Sequence, residues 1–265
     1  MIHSTRAWAL ERNDRRLVFA TGTEATMFAE SGAFRVTRHL HPAWKVVLPV
    51  GGHAEIGLDG RNPLAAAGLI VPPQLAHTCV TTSPYAALFI DPWLLRGAPG
   101  EPVPLDATAV RRLLDALGTT GVDGPGSAPD LTAAHTELAE LTAFTGAALP
   151  LDPRVAHALR TATHPGPGPG PSLDSIATDV GLSAPRLRAL VHASVGIPLA
   201  RLRQWGRLRT AFAALPDATV AAAAADAGFS DQAHLTRTAR SLLGRAPSTL
   251  RSAAASLEVA HCHEA

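Results

Sequence analysis

The spacing of apolar positions changes near residue 100. From Arg16 to about Pro92 they come in short runs, R-L-V-F-A, A-F-R-V-T-R-H-L-H, W-K-V-V-L-P-V, A-E-I-G-L, G-L-I-V-P and A-A-L-F-I. Gly51-Gly52, Asp59-Gly60 and Pro72-Pro73 punctuate them. Short runs with turn residues at this spacing predict antiparallel strands in a sandwich or barrel. Further on the period is helical. Asp106 to Leu117 puts Val110, Leu113, Leu114 and Leu117 on one face, and Asp130 to Thr145 does the same with Leu131, Leu138, Leu141 and Phe144. Between them T-T-G-V-D-G-P-G-S-A-P reads as a loop. Asp152 to Thr163 is a capped helix that buries Val155, Ala158 and Leu159.

From Ser172 to Leu250 one local design occurs twice. Leu173, Ile176, Ala177 and Val180 form an apolar stripe that Gly181 ends. Leu182 and Ser183 then open a second helix, which buries Leu187, Leu190 and Val191. The pattern returns 47 residues later. Val220, Ala223, Ala224 and Ala227 form the stripe, Gly228 ends it, and Phe229 and Ser230 lead into a helix burying Leu235, Ala239 and Leu242. Gly196 and Pro198 match Gly244 and Pro247, spaced one residue wider, and Leu199 to Leu215 connects the copies. A small residue where two helices touch, a glycine turn and a capped second helix make a helix-turn-helix.

In this stretch the chain resembles the AraC/XylS family of transcription regulators. The matching residues are S-L-D-S-I-A-T-D-V-G-L-S from Ser172, the R-L-x-x-A pattern of Arg207, Leu208 and Ala211, and G-F-S-D-Q-A-H-L-T-R from Gly228 to Arg237. The resemblance implies a multidomain α+β chain: an N-terminal cupin-like β-barrel, a helical connector pair, and a C-terminal all-α domain with two helix-turn-helix units joined by a helix. The expected limits are 1–97 for the sensor, 98–149 for the connector and 150–255 for the DNA-binding domain, with a flexible tail at 256–265. The connector helices would form a dimer contact or cover an open face of the barrel. The run H-P-G-P-G-P-G-P from His164 would then be a loop inside the DNA-binding domain. The implied partners are promoter DNA, a small-molecule effector, RNA polymerase and a second copy of the chain, with no cofactor and no catalysis.

Each helical residue turns about 100° from the last, so the faces opposite the buried stripes follow from the sequence. On the second recognition helix they carry Ala233, His234, Arg237, Arg240 and Ser241, flanked by Gln232 and Thr236. On the first they carry Pro185, Ala189 and His192, flanked by Arg186 and Arg188. Arginine and glutamine can each bind a base edge through two hydrogen bonds. Ala189 stands where the family usually has arginine, and Val191 and Ala239 where it usually has phenylalanine. Arg209, on the connecting helix, is expected at most to meet a phosphate.

A net charge of +1 looks wrong for a DNA binder until it is divided along the chain. Residues 1–149 carry 11 basic and 14 acidic groups, whereas residues 150–255 carry 12 and 6, all twelve of those bases arginine. The basic surplus lies with the repeated motif, as phosphate attraction requires. No apolar run approaches the length of a membrane span and the N-terminus lacks a signal-peptide core, so the protein is expected in the cytoplasm. Cys79 and Cys262 are too few and too far apart for a disulfide framework. The tail V-A-H-C-H-E-A reads as a frayed end.

One cluster in the first half carries candidate chemistry. His39 and His41 stand at i and i+2, on one face of a strand, and Pro72 precedes His77 by five residues, as in the second cupin motif. Metal-binding cupins hold an ion with three such histidines and a glutamate. Lys45 stands at the glutamate's place. A cation there opposes a metal, so His39, His41, Lys45 and His77 are expected to line an organic effector's pocket. Cys79, two residues beyond His77, shares its face. The competing reading is a metal-dependent cupin enzyme with a helical appendage.

Overall fold

The structure, a computed structural model, describes residues 6–12, 15–23, 25–95, 100–118, 128–141, 151–163 and 170–247. Its strands are β1 (Arg6–Arg12), β2 (Arg15–Thr21), β3 (Ala25–Glu30), β4 (Phe34–Leu40), β5 (Trp44–Pro49), β6 (Ala54–Gly57), β7 (Leu64–Ala66), β8 (Gly68–Val71), β9 (Ala76–Thr81), β10 (Tyr85–Ile90) and β11 (Val103–Leu105). Helices follow: α1 (Ala107–Ala116), α2 (Leu131–Leu141), α3 (Pro153–Thr163), α4 (Leu173–Asp179), α5 (Ala184–Val195), α6 (Leu199–Ala213), α7 (Val220–Asp226) and α8 (Gln232–Leu243).

The strands form a seven-stranded sheet in the order β1-β2-β3-β10-β5-β8-β11 and a four-stranded sheet in the order β4-β9-β6-β7. Neither closes on itself, so the expected cupin-like barrel is an open two-sheet sandwich. Strand β5 explains why both faces of the larger sheet are apolar. Its side chains alternate sides, so that Trp44, Val46 and Leu48 join the core under α1 and α2 while Val47 joins the core between the sheets. A strand buried on both faces reads as a continuous apolar run rather than an alternation, as β10 does and as β5 does apart from Lys45.

Helices α1 and α2 lay Val110, Leu113, Leu114, Leu131 and Leu138 against that outer face. Of the two uses open to them, the structure fills the covering one. Asp106 caps α1 through the Ala109 N–H at 2.8 Å. Phe144, most of the Gly-Pro loop before α2, and the Pro-Gly run at residues 164–169 lie outside the described residues, as does the tail.

The C-terminal half repeats itself as its sequence does. Ser172 caps α4 and Thr219 caps α7; Gly181 and Gly228 turn at φ 67° and 76°; Gly196 and Gly244 end α5 and α8 at φ 75° and 70°. These are left-handed values that glycine adopts without a Cβ penalty. The cap of α8 departs from the expected alignment. Ser183 caps α5, but α8 is capped by Asp231, which accepts from the His234 N–H at 2.6 Å, and not by Ser230. The carboxylate accepts more strongly than a hydroxyl at a helix N-terminus, and the helix starts one residue later. Both helices have 12 residues, so the later start places Gly244 one residue further on than the repeat alone would, while the wider gap from Gly244 to Pro247 is a separate insertion.

The first helix-turn-helix packs with α3 into its own core of Val155, Leu159, Ile176, Leu187, Val191 and Leu202. The second also packs on itself, but its core runs on into the sandwich. Trp205, Phe212, Leu235 and Leu243 share one core with Trp8, Phe19, Phe28 and Phe89 of the sandwich. Phe212 meets the rings of Phe28 and Phe19 edge-on at 5.7 and 6.4 Å, and Trp8 donates from Nε1 to the Phe212 carbonyl at 3.0 Å. Among the described residues no helix is long and apolar enough to cross a membrane.

Candidate nucleic-acid interface and interior pocket

The buried stripe of α8, Leu235, Thr238, Ala239, Leu242 and Leu243, leaves the other face to solvent. Gln232, Ala233, Arg237 and Arg240 are exposed there and Thr236 is half-buried; together these five line one shallow surface. His234 sits at its edge, half-buried, its ring edge-on to Phe229 at 5.2 Å and its Nδ1 3.2 Å from the Ser230 hydroxyl. On α5, Ala184, Leu187 and Val191 are buried, while Pro185, Arg186, Arg188, Ala189 and His192 are exposed. Leu190 is half-buried rather than buried.

Arg209 is the correction on the connecting helix. It is 3% exposed, pairs with Asp91 of the sandwich at 3.3 Å and donates to the Thr163 carbonyl at 3.1 Å. No phosphate can reach it there. Its i+3 and i+4 neighbours, Phe212 and Ala213, face the sandwich side, which turns Arg209 inward with them. One turn earlier Gly206 permits the approach of α3, since a Cβ there would stand 2.5 Å from the Thr163 carbonyl oxygen.

Inside the sandwich the structure brings His39, His77 and Lys45 together and sets His41 apart. His39 lies on β4 and His77 opposite it on β9, with ring centroids 4.2 Å apart. Each Nδ1 lies within bonding distance of a carbonyl, Thr37 at 2.8 Å and Leu75 at 2.9 Å. A carbonyl only accepts, so each Nδ1 carries the proton and each Nε2 is left with a lone pair. Both lone pairs meet Lys45, whose Nζ stands 3.2 Å from His39 Nε2 and 3.4 Å from His77 Nε2. The lysine nitrogen therefore occupies the point on which these two imidazoles converge.

His41 lies one residue past the end of β4. Its Nδ1 accepts from the Ala43 N–H at 2.9 Å, and its ring packs on Phe89 and Trp205 at 4.3 and 4.4 Å. The i, i+2 spacing promised one shared face; the bulge between Val36 and His39 and the end of the strand separate the two rings. Cys79 does share its face with His77, both being buried on alternating β9. Among the described residues no three His, Cys, Asp or Glu side chains are grouped to hold a metal ion.

Burial governs the protonation of this cluster. It lowers His39 and lowers His77 to about 3, in each case aided by the charge of Lys45, and it lowers Lys45 itself. Beside the cluster a small apolar pocket of about 30 Å³ lies between the sheets. Phe28, Val47 and Phe89 wall one side and Val36, Cys79 and Thr81 the other; Leu243 and Arg245, at the end of α8, complete it.

Sequence reasoning missed those last contacts, because nothing in the pattern around Gly244 says what it will touch. Arg245 is buried, forms an ion pair with Glu30 and lies 4.3 Å over the Phe34 ring. Tyr85 donates to the same Glu30 carboxylate at 3.2 Å, and burial together with that carboxylate raises the phenol's pKa. The Gly244 carbonyl accepts from the Thr37 hydroxyl at 2.9 Å, and Thr37 is the residue whose carbonyl holds His39.

Residues 176–253 match the family profile of a helix-turn-helix domain, and both units of the repeat fall within that match. This stretch is a helix-turn-helix domain. Among solved structures, the chain is similar in fold to ToxT from Vibrio cholerae. A crystal form of ToxT matches with TM-score 0.50 at 8% identity, covering 94% of this chain and 98% of that one. ToxT bound to (E)-4-(8-methylnaphthalen-1-yl)but-3-enoic acid matches with TM-score 0.51 at 8% identity over the same shares. A transcriptional regulator with an AraC-type DNA-binding domain from Chromobacterium violaceum is 24% identical, covers 37% of this chain and 89% of its own, and has TM-score 0.34. Among curated proteins none matches by sequence. In this helix-turn-helix domain the outer face of α8 is open to solvent while its C-terminal end is built into the sandwich wall.

Proposed function

We propose that this transcription regulator reads promoter DNA with the outer faces of α5 and α8 and is set by a small apolar effector inside the sandwich. One observation carries the reading: Leu243 and Arg245, which end the second recognition helix, are also wall residues of the interior pocket. A molecule that fills the pocket changes what that helix end rests on, so its binding is coupled to the helix's position. The ToxT structure with a naphthalenyl butenoic acid supports the same reading from a chain of similar fold, because that ligand joins an aromatic body to a polar end.

The proposed readers are Arg186, Arg188, Ala189 and His192 on α5 and Gln232, Ala233, His234, Thr236, Arg237 and Arg240 on α8. Residues 1–97 serve as sensor, 98–149 as connector and 150–255 as DNA-binding domain, acting on RNA polymerase as a homodimer in the cytoplasm. The protein turns over no substrate. Selecting genomic fragments on the purified chain tests the reading. A shared motif of two half-sites is expected, and uniform recovery of all fragments would sink it. Elemental analysis separates the competing metal enzyme: one equivalent of a transition metal, lost on substituting His39 or His77, would favour that enzyme.

A further inference from the structure

Lys45 is the only lysine among 265 residues that include 22 arginines, and it is 4% exposed. Everywhere else this chain places a cation it uses arginine. A lone lysine against that bias, buried where desolvation opposes its charge, suits a role that arginine cannot fill. The two cations differ in one chemical respect that applies here: an amine can lose its proton and act as a nucleophile, whereas a guanidinium stays charged.

The surroundings suit the amine. No carboxylate pairs with Lys45 among the described contacts; its polar neighbours are the two Nε2 lone pairs at 3.2 and 3.4 Å. A neutral amine donates its two N–H groups to those two acceptors, which leaves its own lone pair in the remaining tetrahedral position. Lys45 is itself a wall residue of the apolar pocket, beside Phe28, Val47 and Phe89 and across from Leu243. Burial also lowers the pKa of Lys45, which increases the fraction of amine.

We propose that the pocket takes an apolar aldehyde and holds it as an imine on Lys45. This rests on the effector-pocket reading above and gives the effector a chemical class. The Nζ lone pair attacks the carbonyl carbon, the C=O π pair moves to oxygen, and a C–N bond forms. One N–H proton passes to that oxygen, with His39 or His77 Nε2 as relay, to give a carbinolamine. The second N–H proton leaves as the C–O bond breaks. The carbonyl oxygen departs as water carrying both protons, so no other reactant is required. Formation of the imine removes both N–H donors from the two histidine Nε2 lone pairs and anchors an apolar chain in the pocket that ends at α8.

The test is reductive trapping on the full chain. Octanal and sodium cyanoborohydride are added at neutral pH, and peptide mapping follows octylation of Lys45 and of the chain's α-amine. In an unfolded chain the α-amine, about two pKa units below an ordinary lysine, labels about 100-fold faster. The native protein should reverse this, with Lys45 labelled at least as fast as the α-amine, and urea should restore the ordinary order. Octan-1-ol, which cannot form an imine, is measured in parallel by thermal shift. If octanol raises the melting temperature while Lys45 stays unlabelled in the native protein, the imine is excluded and the effector pocket stands. If neither compound binds, both readings fall.

Discussion

Arg237 and Arg209 are the same residue type within one domain, and burial assigns them opposite roles. Arg237 is exposed on the outer face of α8. Its replacement by alanine should cost about 1–3 kcal/mol at one base pair of the operator and relax the preference there. Titrations against point variants of the operator measure this; equal weakening on every sequence would contradict it. Arg209 is locked to Asp91 and Thr163. Arg209→Ala leaves a buried carboxylate without its cation, which costs about 3–5 kcal/mol of stability. Denaturant unfolding reads that loss, whereas the salt slope of DNA binding should not change. At the same scale, His77 has a folded pKa of about 3 against an ordinary 6.5. A histidine that gains its proton only on unfolding contributes stability that is whole above its unfolded pKa and is lost as pH falls toward the folded one. Unfolding free energy should therefore drop between about pH 6.5 and about pH 4, and His77→Gln should shallow the slope by up to ~1.4 kcal/mol per pH unit. An unchanged slope would mean that His77 titrates normally in the fold.

At the scale of the element, the ends of α8 carry most of what distinguishes it from α5. Its N-terminus depends on Asp231, so Asp231→Ala should cost about 0.5–2 kcal/mol and Ser230→Ala much less; the reverse order in thermal melts would return the cap to Ser230. Its C-terminus depends on Gly244, where two constraints meet. The residue sits at φ 70°, and a Cβ there would stand 2.5 Å from the Thr37 carbonyl oxygen. Gly196 has the same conformation at the end of α5 but nothing within 4 Å of such a Cβ. Gly196→Ala should therefore cost only the backbone strain, about 1–2 kcal/mol. Gly244→Ala should cost more and should also weaken the seating of α8 on β4. Equal losses in the two variants would show that the contact with Thr37 adds nothing.

Across the whole molecule, Phe212, Trp205 and Leu243 belong to the same core as Phe19, Phe28 and Phe89. The apolar stripes of the C-terminal half read as closing on each other, and in both units they do. The core of the second unit also continues into the sandwich, and the pairs Arg209–Asp91 and Arg245–Glu30 are buried at the same junction. The full chain should accordingly unfold in one cooperative transition. Two resolved transitions in calorimetry, the later one surviving in a fragment of residues 150–255, would contradict it.

What the sequence determined by itself is local. The glycine turns, the cap Ser183, and the exposed faces of α5 and α8 depend on residues within a few positions of one another, and a helical or strand period states which side is apolar. The division of charge between the two halves is legible for the same reason, because it is a property of composition. Tertiary structure decided what those apolar sides meet. No period distinguishes Phe212 packed against its own unit from Phe212 packed against β2 and β3, and none reveals that Arg209 turns inward or that Gly244 touches Thr37. His39, Lys45 and His77 were legible as a group, but their mutual geometry was not: a bulge in β4 and two backbone carbonyls aim both imidazoles at the lysine and leave His41 outside. Long-range contacts depend on shape and on competition among all the chain's apolar surfaces, and that information is present only once the chain has folded.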